Sequence, residues 1–319
     1  MSPVPGIVSL GGLNMDLIVE TPQVARAGET REGTRFTTTP GGKGGNQAVA
    51  AARVAGGAAA VQMVARVGGD AFGTEMRHYL ESAGVGTRFV RADSSSASGV
   101  AIILIAPGGE NSVNAVYGAN ALCDDRQVDD AVAALAGASV LLVQQEIPLE
   151  VTAAVMRAAR GSGVTVILDP APTRDLPPGL LDLVDIVTPN QLEAEALTGV
   201  AVTDAASAQA AARELQTLGP PTVVVTLGAG GAYVHSEALS RHFPAFDVQP
   251  IATVAAGDAF NGGLAAGLAV GMELPEAVRL GMATAALCVT RHGAQASMPV
   301  RAEVDALLKE GRLRPARPD

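Results

Sequence analysis

The sequence predicts an α/β fold: a mostly parallel central sheet flanked by helices, with a small antiparallel β insertion. Three observations carry that prediction. From about residue 130 onward, short β-rich apolar runs alternate with longer Ala-rich segments, the rhythm of repeated strand and helix units. The strand-like runs are near-continuously apolar, as expected where both faces of a parallel sheet are covered. Two stretches, 29–39 and 98–120, break the rhythm from inside the chain rather than at an end.

Residues 6–12 start the first strand, and ETREGTRFTTT at 29–39 is the first interruption. GGKGGNQAVAAARVAG then reads as a glycine loop feeding a helix, with Asn46 as its cap and Gly56 as its terminator. In SGVAIILIAPGGENSVNAVYGAN (98–120), two strand-like runs flank the turn PGGE. Together with 29–39 they suggest a small antiparallel sheet set beside the parallel one, a candidate lid. ASVLLVQQE gives a strand, 150–160 a helix, VTVILDPAP a strand, DIVTPNQLEAEALTG a short strand entering a helix, and TVVVTLGAGG another strand. PIATVAAGDAFNGG (250–263) opens directly into an apolar helix. RAEVDALLKEGRLRPARPD, beyond residue 300, suggests a short amphipathic helix and a frayed tail.

Composition narrows the class of activity. A chain of 319 residues, 48% hydrophobic and 17% charged, can bury a substantial core as one large α/β domain or two ordinary ones. Its 22 basic and 32 acidic side chains give a formal charge of −10, which opposes binding to nucleic acid or anionic lipid. The N-terminus has no basic region followed by an apolar stretch, and no run approaches the roughly eighteen apolar residues of a membrane span. A cytoplasmic enzyme is the expectation. Cys123 and Cys288 lie too far apart for a CxxC pair and are expected to be buried thiols, and four scattered histidines add no metal-ligand spacing.

Ligands of open parallel sheets bind at the carboxyl ends of strands, so the residues that follow each strand carry the functional signal. Asn14 and Asp16 follow the first strand, Glu146 follows ASVLLVQ, Asn190 follows DIVTP, and Thr226 and Gly228 close TVVV. This polar set suits a hydroxyl-rich ligand and a nucleotide. Singly, each residue has a plainer reading: Asn14 and Asp16 as turn residues, Lys43 as a solvated charge, Asn190 with Glu193 as a capping box or as part of a metal site. The phosphate motifs GxxxxGK[ST] and GxGxxG are absent. What remains is the small-residue start of the helix after 254. There Ala255, Ala256 and Gly257 leave backbone N–H groups open to an anion, and Asp258 follows at once. An isolated acid there would stabilise the helix terminus by about 0.3 to 1 kcal/mol. Beside a transferring phosphoryl group it would orient an attacking hydroxyl and take its proton.

These motifs resemble the ribokinase type of the sugar and nucleoside kinases, a family that includes adenosine kinase and fructokinase. The similarity runs in order along nearly the whole chain: NMD (14–16), GGKGGNQAVAAAR (41–53), GENSVNAVYGAN (109–120), QQEIPLE (144–150), TPNQLEAEALTG (188–199), VTLGAGG (225–231), AAGDAFNGG (255–263) and TRHGAQASMP (290–299). It implies a single ribokinase-like α/β domain over 1–319, with lid insertions at about 13–40 and 98–120, and ATP-dependent phosphorylation of the 5-hydroxyl of D-ribose. Related readings are another small sugar or a nucleoside as acceptor, or a binding homologue without turnover. By position, Asn14, Asp16, Gly42, Lys43, Asn46 and Glu146 would hold the sugar, and Asp258 would be the base. Ala255, Ala256 and Gly257 would form the anion hole. Asn190 and Glu193 would serve Mg2+ and phosphates through water. Thr226, Leu227, Gly228, Ala229, Gly230, Gly231 and Gly257 would line the nucleotide site. The lid would also build a homodimer interface.

One departure concerns a monovalent cation. Where ribokinases usually carry DTxAAGD, this chain has ATVAAGD, so Ala252 replaces the only charged ligand. The backbone carbonyls of Val254, Cys288, Arg291 and Gly293, with Ser297, would then support at most a weak K+ site, and weak or absent potassium stimulation is expected.

Overall fold

A computed structural model describes residues 4–107 and 111–314. The tip of the expected PGGE turn, residues 108–110, and the last five residues of the tail lie outside the described residues. The chain opens with β1 (Gly6–Leu10), β2 (Asn14–Glu20) and β3 (Arg35–Gly41), followed by α1 (Lys43–Ala55), β4 (Ala60–Gly68), α2 (Ala71–Ser82) and β5 (Val85–Asp93). Next come β6 (Gly99–Ile105), β7 (Asn111–Val116), α3 (Asp125–Leu135), β8 (Ala138–Val143), α4 (Leu149–Gly161), β9 (Thr165–Leu168), β10 (Ile186–Val187), α5 (Gln191–Thr198) and α6 (Ala205–Thr217). The last third holds β11 (Thr222–Thr226), β12 (Ala232–His235), β13 (Ser240–Phe243), α7 (Ala256–Ala269), α8 (Leu274–Cys288) and α9 (Arg301–Glu310).

Among the described residues, nine strands form the central sheet in the order β13-β12-β11-β10-β9-β8-β1-β4-β5, parallel from β5 through β11 and antiparallel at β12 and β13. Both faces are buried, which explains the continuous apolar runs. In β8, Val140 and Leu142 enter the core beneath α1, α7 and α8, while Leu141 and Val143 enter the core beneath α3, α4 and α6. Helices α1 and α7 touch closely because Gly262 has no side chain: a Cβ there would lie 2.7 Å from the Ala51 nitrogen and 2.8 Å from the Gln47 carbonyl oxygen. That contact brings the first turns of the two helices together, with consequences for the site.

The second sheet has the order β3-β2-β6-β7. Its outer pairs, β2–β3 and β6–β7, are antiparallel as expected, and a parallel β2–β6 pairing joins them. Asn14 and Asp16 are therefore strand residues, not turn residues. Two further expectations need correction. Asn46 does not cap α1, because the helix already starts at Lys43 behind Gly42, whose φ of 85° suits a residue without Cβ; Gly56 does end it in the left-handed conformation. The tail does not fray immediately after α9. Asp247 donates its N–H to the Arg312 carbonyl (2.7 Å), Arg314 donates its own to the Ala245 carbonyl (2.9 Å), and Phe246 bridges to Leu313.

Candidate active site

Asp258 sits in the first turn of α7, 4% exposed, and both its oxygens are held by consecutive residues of α1. Asn46 Nδ2 donates to Oδ2 at 2.8 Å and Gln47 Nε2 to Oδ1 at 3.1 Å. The sequence pointed to Asn46 but not to Gln47. The same Gln47 amide donates to Asp169 Oδ2 (2.8 Å) and accepts at Oε1 from Gln144 Nε2 (2.6 Å). Asp169 and Gln144 each stand just past a parallel strand, β9 and β8, the position from which the other polar candidates were read. Their location was a legible signal.

The polar pocket beside Asp258 is built on Glu146. Its Oε2 accepts the Lys43 backbone N–H (2.7 Å) and its Oε1 accepts from Asn14 Nδ2 (3.3 Å). Asn120, absent from the sequence-derived set, clamps the root of β2: Nδ2 donates to the Leu13 carbonyl and to Asn14 Oδ1, and Oδ1 accepts the Leu13 N–H, each at 2.9 Å. Space here is tight. A Cβ on Gly12 would come within 2.5 Å of Glu146 Oε2, and one on Gly41 would overlap the Asp16 carboxylate.

Carboxylates crowd this pocket. Burial, then Glu146 and Asp258, pushes Asp16 up to about 7. Burial also raises Glu146, against the opposing pull of Lys43. Asp169 is pushed up to about 8 by burial and by Asp258, Glu193 and Glu146, with Lys43 acting the other way. For Lys43, burial alone would lower the pKa, yet Asp169, Asp258, Glu146 and Glu193 raise it above the ordinary lysine range. Its ammonium lies 4.0 Å from Asp169 Oδ2. Lys43 is therefore a half-buried cation set among four carboxylates.

On the other side of the α7 N-terminus lies an apolar cleft of about 240 Å³. Of the residues expected at a nucleotide site, Thr226, Gly228, Ala229, Gly231 and Gly257 line this cleft, and so does Ala256. Leu227 does not, because it is buried in the core under β11, and Gly230 is also outside the lining. No sequence motif marks the opposite wall, formed by Val248 and Pro250 with Met282, Ala286 and Val289 around α8. Between cleft and pocket, Ala255 has φ 59°, the one non-glycine residue with positive φ among the described residues. The Ala256 N–H turns back to the Thr253 carbonyl (3.3 Å), and a Cβ added to Gly257 would meet nothing within 4 Å. The Ala256 N–H, expected to be open, is therefore engaged, and the open space at the start of α7 lies beside Gly257.

Asn190 and Glu193 form the capping box of α5: the Glu193 N–H donates to Asn190 Oδ1 (3.0 Å) and the Asn190 N–H to Glu193 Oε2 (2.8 Å). Burial raises the pKa of Glu193. Capping and a water-mediated ion role are compatible, since capping engages Oε2 and Oε1 is a second hard oxygen. Near the expected cation site, Cys288 Sγ lies 3.0 Å from Ser297 Oγ and 3.7 Å from the Val254 carbonyl oxygen, so these three residues converge. The Arg291 side chain pairs with Glu303, with a shortest N···O distance of 2.6 Å, a contact that does not involve the backbone carbonyl expected to serve the cation.

A family model described as pfkB family carbohydrate kinase matches residues 5–301. A ribokinase of Haemophilus influenzae is 41% identical over 294 residues, covering 92% of this chain and 95% of that protein. A deoxyribokinase of Salmonella typhi is 35% identical, with the same two coverages. The structure of an Arabidopsis thaliana ribokinase complexed with ribose and ATP superposes with a TM-score of 0.86 at 34% identity, covering 97% of this chain and 99% of that one.

Proposed function

The chain belongs to the pfkB family of carbohydrate kinases, and from that premise we propose that it transfers the γ-phosphoryl group of ATP to the 5-hydroxyl of D-ribose. The observation that carries the chemistry is the placement of Asp258: a buried carboxylate with both oxygens pinned, at a helix N-terminus that separates a polar pocket from an apolar cleft. Asn14, Asp16, Lys43, Asn46 and Glu146 would hold the sugar hydroxyls. The apolar walls would take the adenine, and the backbone of Ala255, Ala256 and Gly257 the charge on the migrating group.

Phosphoryl transfer passes through a loose transition state, so positioning and charge stabilisation dominate the barrier. Asn46 and Gln47 fix the Asp258 carboxylate so that a remaining lone pair faces the acceptor hydroxyl, and Asp258 receives its proton late in the transfer. The donor set at Asn190 and Glu193 fits Mg2+, a hard ion that keeps much of its water shell. Bound there, the ion would neutralise polyphosphate charge. The four-stranded sheet would act as the lid. Its register sets Phe36, Ile102 and Val116 on the face opposite Asn14 and Asp16, and all three are more than 40% exposed. That apolar face supports a homodimer formed through the lid. An ATP-consuming sugar kinase of this type would work in the cytoplasm.

The test is an acceptor panel of ribose, 2-deoxyribose, fructose and adenosine, with ATP and Mg2+ in a coupled ADP assay, run beside Asp258→Asn. Ribose should give the highest kcat/KM, and Asp258→Asn should lose roughly 10²- to 10⁴-fold in kcat. Preference for adenosine would overturn the acceptor assignment. Near-normal turnover of a folded Asp258→Asn protein would overturn the base.

A further inference from the structure

Gln47 has one amide and three partners. Its Oε1 accepts from Gln144 Nε2 at 2.6 Å, while its Nε2 donates to Asp169 Oδ2 at 2.8 Å and to Asp258 Oδ1 at 3.1 Å. The opposite amide orientation would set two NH2 groups against each other and point the amide oxygen at two carboxylates. The three contacts therefore hold the group one way round. An NH2 group has two hydrogens, and both are used: when Asp169 takes one, the other is aimed along a fixed direction at Asp258. Asp169 itself is 5% exposed, and its exposure leaves no room for it to turn to solvent instead. The acceptor-binding residues named above do not include it, and the proton transfer does not use it.

We infer that Asp169 is a positioning residue for phosphoryl transfer, acting through the Gln47 amide that it shares with Asp258. The inference rests on the reading of Asp258 as the base. Charged groups face Asp169 from every neighbouring element: Lys43 from α1, Asp258 from α7, Glu193 from α5, and Glu146 from the segment after β8. Burial and these acids raise its pKa while Lys43 opposes them, and asparagine keeps its shape and an acceptor oxygen toward Gln47 without its charge. Its raised pKa means that it ionises more fully as pH rises, adding to the negative charge beside Asp258 that opposes an incoming phosphoryl group.

The experiment compares Asp169→Ala, Asp169→Asn and Gln47→Leu with wild type, measuring kcat and the sugar KM from pH 6 to 9.5, with thermal melts as a control. Asp169→Ala should lose about 10- to 100-fold in kcat, the scale of a misplaced catalytic group, with less than about threefold change in KM. At pH 7, Asp169→Asn should recover to within about threefold of wild-type kcat, the rescue expected if the acceptor oxygen is what matters. It should also hold that rate above pH 8, where the wild type declines. If Asp169→Ala fails to fold, Gln47→Leu should reproduce the kcat loss, and Asp169→Asn still tests the pH dependence. Wild-type kcat in both Asp169→Ala and Gln47→Leu, or an Asp169→Asn protein as slow as Asp169→Ala, would overturn the inference. Asp258→Asn in the same series separates the two readings: if it is inactive while Asp169→Ala is fully active, positioning fails and the base stands.

Discussion

Replacing Asn120 should damage stability and sugar binding together, and its size can be worked from three hydrogen bonds. Asn120 is fully buried and holds the Leu13 N–H, the Leu13 carbonyl and Asn14 Oδ1, each at 2.9 Å. Asn120→Ala leaves those three groups without that partner. A stranded buried polar group costs about 1–3 kcal/mol, and water entering the new space relieves some of it, so the sum is about 3–5 kcal/mol. A chain of 319 residues has an unfolding entropy of about 0.67 kcal/mol/K, at roughly 2.1 cal/mol/K per residue, so the melting temperature should fall by about 4–7 °C. Asn14 also donates to Glu146. Freeing it should raise the sugar KM by about 5- to 10-fold, the equivalent of roughly 1 kcal/mol. Asn120→Asp should be no better, because it keeps one acceptor and turns a carboxylate on two oxygens. Differential scanning fluorimetry with and without ribose, together with steady-state kinetics, measures both effects. A melt within about 1 °C of wild type and an unchanged KM would show that Asn120 does not anchor the root of β2.

Two other predictions follow from charge. The folded chain keeps a proton on Asp16 up to about pH 7, whereas the unfolded chain releases it near the ordinary 3.8. The unfolded state therefore binds fewer protons in that window, and Asp16 lowers stability as pH rises from about 4 to 7. Asp16→Asn should melt higher than wild type at pH 8, with the gain shrinking toward pH 4, while the sugar KM rises; equal melts at pH 8 would show that the buried carboxylate carries no such penalty. At the cation site, Ala252→Asp should introduce potassium stimulation that wild type shows weakly or not at all, read as kcat/KM in potassium-free and potassium-containing buffer. Strong stimulation of the wild type would show that backbone oxygens suffice.

The parts of the fold that were legible from sequence are those where pattern and burial agree. β8, β9 and β11 are continuous apolar runs because both faces of each are covered, and the glycine loop before α1 and the small-residue start of α7 stand out against them. β2 was hidden because it begins Asn-Met-Asp, two polar residues in three, and such polarity ordinarily marks a turn. Those side chains face the pocket, so function masked the strand signal. Ala285, Ala286 and Val289 look like core on a helix, and nothing local says that one side of α8 faces a cleft. Gln47 and Gln144 form their network only when segments about a hundred residues apart meet. That adjacency is a property of sheet order, which a single sequence does not display.

The contact at Gly262 has an implication for anyone altering the acceptor range. The first two turns of α1 present Lys43 toward the Glu146 pocket and Asn46 with Gln47 toward Asp258, and the helix is seated against α7 with no slack. Sliding α1 to make room for a bulkier alcohol would drag both tethers off the carboxylate, trading turnover for breadth. Residues on the four-stranded sheet, such as Ala101 and Ile103, which share the face of Asn14 and Asp16, can be enlarged or trimmed without moving that helix, so directed evolution of new acceptors should begin there.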